Sequence, residues 1–433
     1  MVNVFIPKEK DPQESRVAAT PETVKKLIQA GAEVTVEAGA GAHARLPDIG
    51  YSNAGAAIAT DPASALAAAQ LVLKVQPPTT EEIQALSSGA AVAGFFAPYD
   101  QPQRVAELAD AGITTFSMEL VPRISRAQSM DALSSQASIA GYKAVLLGAL
   151  SLGRYFPLLM TAAGTIPPAR VVVMGAGVAG LQAVATARRL GAVVEVSDIR
   201  PVVKEQVESL GGKFIELPLE ESGEGQGGYA KQMTPEFLAK QREIVKRHLS
   251  QADVAITTAL IPGKKAPILI NEEMVRAMKP GSVIVDLAVS QGGNCALSKA
   301  DEEVEVDGVL ILGPSNLPSQ TMAHDASVLY ARNLLALVDL MLEEGALAPD
   351  LEDEVLAGCL LTHDGKITQT RVAEMLGQPQ PGPEETEGAE KAGKAEEPGE
   401  AEEVAHQETR EITPLSSADE ANANSEQNSG ESS

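Results

Sequence analysis

The rhythm of the chain is its strongest constraint. Between Val2 and Leu312, short runs rich in valine, isoleucine and alanine alternate with helical patterns of about ten residues. Val2–Ile6 reads as a strand. Thr20-Pro21 then supplies a helix N-cap and a proline at the first helical position, and Gly31 supplies a stop. Strands follow at Val34–Val36, Leu71–Val75, Ala91–Phe95 and Ile113–Phe116, separated by helices near Pro62–Ala69, Glu81–Leu86 and Gln103–Asp110. The alternation resumes at Val171–Met174, Val193–Ser197, Asp253–Thr257, Val283–Asp286 and Val309–Leu312. A strand re-enters its sheet in parallel only through a long crossover, so this order predicts βαβ units and an α/β chain.

Two long helical patterns interrupt the rhythm, Ser134–Leu152 and Gln320–Glu343. They flank residues 165–317, which predicts an inserted domain. The expected architecture is two Rossmann-like parallel-sheet domains joined by two long helices. Residues 1–133 and 330–376 would form a discontinuous first domain and 134–329 the second, with a ligand in the cleft between them. A length of 433 residues suits two or three domains. Only 3% of residues are aromatic and none is Trp, so the cores must be aliphatic.

Composition changes near Gly377. Residues 379–433 carry 15 acidic side chains against Lys391, Lys394 and Arg410, and no aromatic. Such a segment has too little apolar surface to offset the entropy of ordering and reads as a disordered acidic tail. The formal net charge of −25 argues against a nucleic-acid partner and against anionic lipid. Cys295 and Cys359 make no disulfide framework, the five histidines are scattered, and no metal site is expected. No apolar run approaches the roughly 18 residues of a membrane span, and the N-terminus lacks a signal pattern. A cytoplasmic protein is the default expectation.

Arg170 to Gly180, RVVVMGAGVAG, holds glycines at 175, 177 and 180. A bare GxGxxG is weak evidence, but here a buried strand precedes it and a helical pattern from Leu181 to Leu190 follows. A second strand then ends at Asp198, 18 residues beyond Gly180. That spacing is the dinucleotide fingerprint. Gly175 permits the tight turn, Gly177 the approach of pyrophosphate, and Gly180 close helix–strand packing. The N–H groups near Val178 and Ala179, with the helix dipole, favour phosphate. Asp198, followed by Ile199 and Arg200, would accept the adenosine ribose hydroxyls and repel a 2′-phosphate, so NAD(H) is expected over NADP(H). Arg200 weighs against that preference, since an arginine in this turn can receive a 2′-phosphate.

Thr258, Ala259 and Leu260 follow a strand end in a segment whose small residues would let adenosine lie against the backbone; the alternative is an ordinary turn before a helix. The glycine-rich stretch 220–229, with Gly228 and Tyr229, reads as a mobile loop or a linker. Arg123, Gln128, Asp131 and Ser134 lie where a polar segment enters the first long helix. They suit a hydrogen-bonded cluster facing the cleft, or a solvated loop with an N-cap.

The segment PRISRAQSMDALSSQASIAGYKA resembles the signature loop of proton-translocating nicotinamide nucleotide transhydrogenases, in their NAD(H)-binding component. GAGVAGLQAVATARRLGAVVEVSDIR, GGYAKQM, TTALIPGKKAPILI and VIVDLAVSQGGN resemble further segments of that family in the same order. The resemblance covers about residues 1–375 and implies a homodimer with NAD(H) in the interdomain cleft. It implies that Arg123, Gln128, Asp131 and Ser134 position the nicotinamide ring, with Arg123 and Asp131 ion-paired, and that Tyr229 lies on a loop closing over the nucleotide. It further implies hydride transfer to NADP(H) on a beta subunit, with a membrane-embedded second alpha subunit, and a location peripheral to the membrane. Alanine dehydrogenase shares the fold, and Arg16 and Lys74 match its substrate-binding arginine and catalytic lysine. However, FAPYDQP lacks its histidine, and Ser290 stands where it has an aspartate. A non-catalytic NAD(H)-binding regulator is the third reading.

Overall fold

The computed structural model describes residues 1–218, 235–261 and 263–377. Gly228, Tyr229 and the acidic stretch 379–433 lie outside the described residues. Six strands alternate with helices in the first third of the chain: β1 (Asn3–Ile6), β2 (Glu33–Glu37), β3 (Ala57–Ala59), β4 (Leu71–Leu73), β5 (Ala91–Gly94) and β6 (Thr114–Ser117). They pair in parallel in the order β3-β2-β1-β4-β5-β6. A two-stranded hairpin, β7 (Leu159–Thr161) and β8 (Gly164–Ile166), precedes the second sheet.

That sheet comprises β9 (Arg170–Met174), β10 (Val193–Ser197), β11 (Lys213–Phe214), β12 (Val254–Thr257), β13 (Val283–Asp286), β14 (Glu303–Val306) and β15 (Val309–Leu312). Its order is β11-β10-β9-β12-β13-β15-β14, parallel except for β14. Both sheets therefore repeat one winding, the Rossmann-like α/β fold. In each, strand order reverses once, between β1 and β4 and between β9 and β12. A crevice opens at the carboxyl ends of the strands at each reversal.

The valine runs follow from burial on both faces of the second sheet. Val171, Val173, Val194, Ile256 and Val285 pack against Ala183, Val184 and Ala187 on one face. Val172, Ala255, Ile284, Val309 and Ile311 pack on the other. The first long helix, Ala132–Ser151, crosses the helix Val178–Arg189 at Gly141, where a Cβ would collide with the carbonyl oxygen of Ala179. A Cβ on Gly148 would meet Val254 Cγ1 at 2.9 Å. Glycine at these two positions lets the helix lie close against the helix Val178–Arg189 and against β12.

The second long helix, Leu317–Val338, has a backbone break at Met322 (φ −149°, ψ 39°). It ends at Val338 and not at Glu343 as the periodicity suggests. Glu344 and Gly345 both adopt positive φ, which turns the chain back and pairs β16 (Leu342–Glu343) with β17 (Ala346–Leu347). The chain then returns to the first sheet, where β18 (Leu360–His363) lies antiparallel on β6 and β19 (Lys366–Ile367) on β18. Among the described residues, no helix is long and apolar enough to cross a membrane.

Candidate functional site: a dinucleotide turn and a polar loop

Gly175 leaves β9 at φ +106°, a conformation that side chains rarely adopt, and a Cβ there would lie 2.5 Å from Thr258 Oγ1. A Cβ on Gly180 would collide with the carbonyl oxygen of Gly175. Gly177 is different: its Cβ position faces open space. Packing alone does not explain that glycine, whereas close approach of a phosphate does. Val178 opens the helix, and Gly177 offers no side chain to cap it, so the first N–H groups point into the crevice. These features fit a dinucleotide pyrophosphate.

At the end of β10, Asp198 Oδ2 accepts from Ala176 N–H at 2.7 Å, which ties the turn to the next strand. Asp198 Oδ1 accepts from the Arg200 N–H at 2.8 Å and from its Nε at 3.0 Å, and Oδ2 accepts from Nη2 at 3.0 Å. The carboxylate is 6% exposed and the guanidinium side chain 55%. Burial would raise the pKa of Asp198, but the bonds from Arg200 and Ala176 outweigh it and hold the carboxyl below its ordinary range. Ile199 is exposed beside it.

Thr258 closes the crevice from β12. Its N–H donates to the Met174 carbonyl at 2.9 Å and its hydroxyl lies 3.2 Å from the Gly175 carbonyl. Ala259 is held at both backbone atoms by Asn294, whose Oδ1 accepts from its N–H and whose Nδ2 donates to its carbonyl, both at 2.9 Å. Leu260 is exposed at the rim. Asn294 is itself placed by Asp286, fully buried at the end of β13, which accepts from the N–H groups of Asn294 and Cys295 at 2.9 Å and from Ser298 Oγ at 2.6 Å. Sequence reasoning missed this pair. Its signal was the Gly292-Gly293 step, where two consecutive positive φ values turn the following N–H groups onto a carboxylate.

The polar loop departs from expectation. Asp131 caps the first long helix, accepting from Ser134 N–H at 2.8 Å and Ser134 Oγ at 2.5 Å. The expected ion pair between Asp131 and Arg123 does not form: the carboxylate is turned to the helix end, and Arg123 is exposed. Gln128 is also exposed, on a 3-10 turn from Ser125 to Met130 whose Ala127 and Met130 are buried. Thus Asp131 and Ser134 come together, while Arg123 and Gln128 remain available to a ligand. Ten residues of helix separate Asp131 from the crossing at Gly141, a rise of about 15 Å. An extended dinucleotide, unlike a single nucleotide, can bridge that interval.

A second polar cluster lies at the reversal of the first sheet. Arg16 makes a two-pronged pair with Glu14 (Nε–Oε1 2.7 Å, Nη2–Oε2 2.6 Å) and donates to Gln136 Oε1 at 2.9 Å. Lys74 Nζ lies 3.0 Å from Glu82 and 3.6 Å from Glu9, all buried. A cavity of about 270 Å³ opens beside Lys74, Gln76 and Arg104, away from the glycine turn.

The sequence matches two family descriptions: "Alanine dehydrogenase/PNT, N-terminal domain" over residues 5–140 and "Alanine dehydrogenase/PNT, C-terminal domain" over residues 144–370. An NAD(P) transhydrogenase subunit alpha (its first part) from Rhodospirillum rubrum is 52% identical over 375 residues, spanning 84% of this chain and 97% of that protein. An alanine dehydrogenase from Halomonas elongata is 31% identical over 87% of this chain and 97% of its own length. Among solved structures, a transhydrogenase from Sinorhizobium meliloti superposes with a TM-score of 0.77 at 49% identity, covering 84% of this chain and 99% of that one. The chain belongs to the alanine dehydrogenase/PNT family, in its NAD(P) transhydrogenase alpha-subunit branch.

Proposed function

We propose that this chain is the NAD(H)-holding component of a proton-translocating transhydrogenase. It would carry out direct hydride transfer between NAD(H) bound here and NADP(H) on a partner beta subunit. Membrane subunits, including a second alpha subunit, would couple that transfer to proton movement and hold the chain at the cytoplasmic face of the membrane. The observation that carries the reading is the joint geometry of two features: the open turn at Gly177 closed by Asp198, and, one helix segment away, a capped loop that exposes Arg123 and Gln128.

In this reading the division of the chain is 1–133 with 330–376, 134–329, and 379–433. Gly175, Gly177, Val178, Ala179 and Gly180 receive the pyrophosphate. Asp198, Ile199, Arg200, Thr258, Ala259 and Leu260 line the adenosine half. Arg123 and Gln128 position the ring, Gln128 through its carboxamide, and Asp131 and Ser134 hold the loop; Gly228 and Tyr229, outside the described residues, are assigned to the nucleotide by the family resemblance alone. NADH supplies the hydride from its nicotinamide ring, so the residues act by orientation and exclusion of water. For a homodimer we assign the hairpin β7–β8. Two strands alone are marginal in water, and Met160 on it is exposed, as are Leu150, Tyr155 and Leu158 before it; a second copy would cover them.

The test is to mix the purified chain with an NADP(H)-loaded partner subunit and an NAD analogue of distinct absorbance. Hydride exchange that needs both proteins is expected. Tight NADH binding without exchange would replace this reading by the non-catalytic regulator.

A further inference from the structure

The loop that exposes Gln128 is tied down by residues far away in the chain. Arg126 Nη1 donates to Asp353 Oδ2 at 2.7 Å and its Nη2 to Oδ1 at 3.1 Å, a two-pronged pair across 227 positions. Asp353 is oriented before Arg126 reaches it, because its Oδ1 also caps the helix Glu354–Cys359, accepting from Val355 N–H at 2.9 Å and Leu356 N–H at 3.2 Å. On the other side of Gln128, Asn333 Nδ2 donates to the Ser129 carbonyl at 2.7 Å. Asn333 Oδ1 accepts from Ser135 Oγ at 2.7 Å, so one side chain of the second long helix joins the loop to the first. Gln128 therefore stands between two fixed points, at 126 and 129, over the buried Ala127 and Met130.

We propose that Arg126, through Asp353, and Asn333 are positioning residues for the hydride step, holding the Gln128 loop in register with the dinucleotide turn. This rests on the transhydrogenase reading above. The pair is partly exposed, 48% on the Arg126 side and 23% on the Asp353 side, and such pairs contribute little to global stability. A misplaced reacting group, by contrast, is costly in rate. The two effects therefore separate experimentally.

The experiment uses the full chain with its NADP(H) partner and compares the natural protein with Arg126→Ala, Asp353→Asn and the double variant, and with Asn333→Ala. Asn retains the capping role at 353. Single-turnover hydride transfer, NADH affinity and melting temperature are measured for each. Arg126→Ala and Asp353→Asn should each slow transfer between about tenfold and a hundredfold, with NADH affinity changed less than about twofold and melting nearly unchanged. The double variant should be no slower than either single one, because both remove the same tie. Asn333→Ala should slow transfer in the same manner. An unchanged rate, a parallel fall in rate and affinity, or additive losses in the double variant would overturn the proposal while leaving the transhydrogenase reading intact. A natural chain that transfers no hydride would remove both.

Discussion

Both oxygens of Asp198 are engaged by Arg200 and Ala176 before a ribose arrives, so a bound adenosine must displace or share the guanidinium. NADH should bind well and NADPH poorly. Asp198→Ala should narrow that gap, each charged hydrogen bond being worth about 1.5–3 kcal/mol; equal affinity of the natural chain for the two nucleotides in titration calorimetry would count against the assignment. In the proposed reading Gln128, exposed on its tethered turn, orients the ring without anchoring the nucleotide. Gln128→Asn should therefore slow single-turnover transfer far more than it weakens NADH, where one neutral bond is worth about 1 kcal/mol. A titration tests the buried cluster. Burial would raise the pKa of Glu14, but the bonds from Arg16 outweigh it and bring the value from 4.5 down to about 2. Its contribution to stability is thus fully present above the unfolded value and lost as pH falls through the folded one, roughly 3 kcal/mol in all. Glu9 has the opposite sign, raised mainly by burial, so its contribution is present at low pH and fades as pH rises. The clean observable is the stability difference between the natural chain and Glu14→Gln, which should shrink as pH falls below about 4.5. A difference that stays level with pH would show that Arg16 does not hold Glu14 ionised.

Among the elements, the first long helix carries the most consequence, because its position depends on the missing side chain at Gly141. Gly141→Ala has to push it off the helix Val178–Arg189, at a cost of about 1–3 kcal/mol. Thermal unfolding should show the loss, and an unchanged melting temperature would mean that the crossing relaxes freely. The same helix shows why legibility was uneven. Its start was readable to within two residues: the pattern suggests Ser134, and the cap made by Asp131 on Ser134 begins the helix at Ala132. The three glycines of the turn were readable from their spacing after a strand; the structure gives Gly175 a positive φ and Gly180 a backbone clash to avoid, while Gly177 faces open space. The partners of the loop were not: Asp353 and Asn333 lie more than two hundred residues from Arg126 and Ser129, and no local pattern announces such a pairing. An Arg123–Asp131 pair was the expectation, and the helix end claimed the carboxylate instead. The short strands β3, β11 and β14 escaped because two to four residues with one exposed face carry little periodicity. The Asp286–Asn294 brace lay hidden in a run of small residues whose role appears only once the chain is folded.

For the molecule as a whole, two sheets of identical winding give two crevices, and only one has the glycine turn. The other holds Arg16 and Lys74, each buried against glutamates. In the loop after β5, Tyr99 has Arg371 over its ring at 4.3 Å, and Ser290 offers a hydroxyl in place of a carboxylate. Because FAPYDQP lacks the histidine of the alanine dehydrogenase pattern and Ser290 replaces its aspartate, the chain should not reduce NAD⁺ with L-alanine; robust turnover in a spectrophotometric assay would favour the dehydrogenase reading outright. The crossing at Gly141 has one more effect. Because the Gln128 loop runs into the first long helix and the helix that follows the glycine turn packs on it at Gly141, the proposed site would gauge its ligand like a caliper with fixed jaws. A fragment such as AMP or nicotinamide mononucleotide reaches one jaw only, so neither half alone, nor the two added together unlinked, should reproduce the hold on the intact dinucleotide.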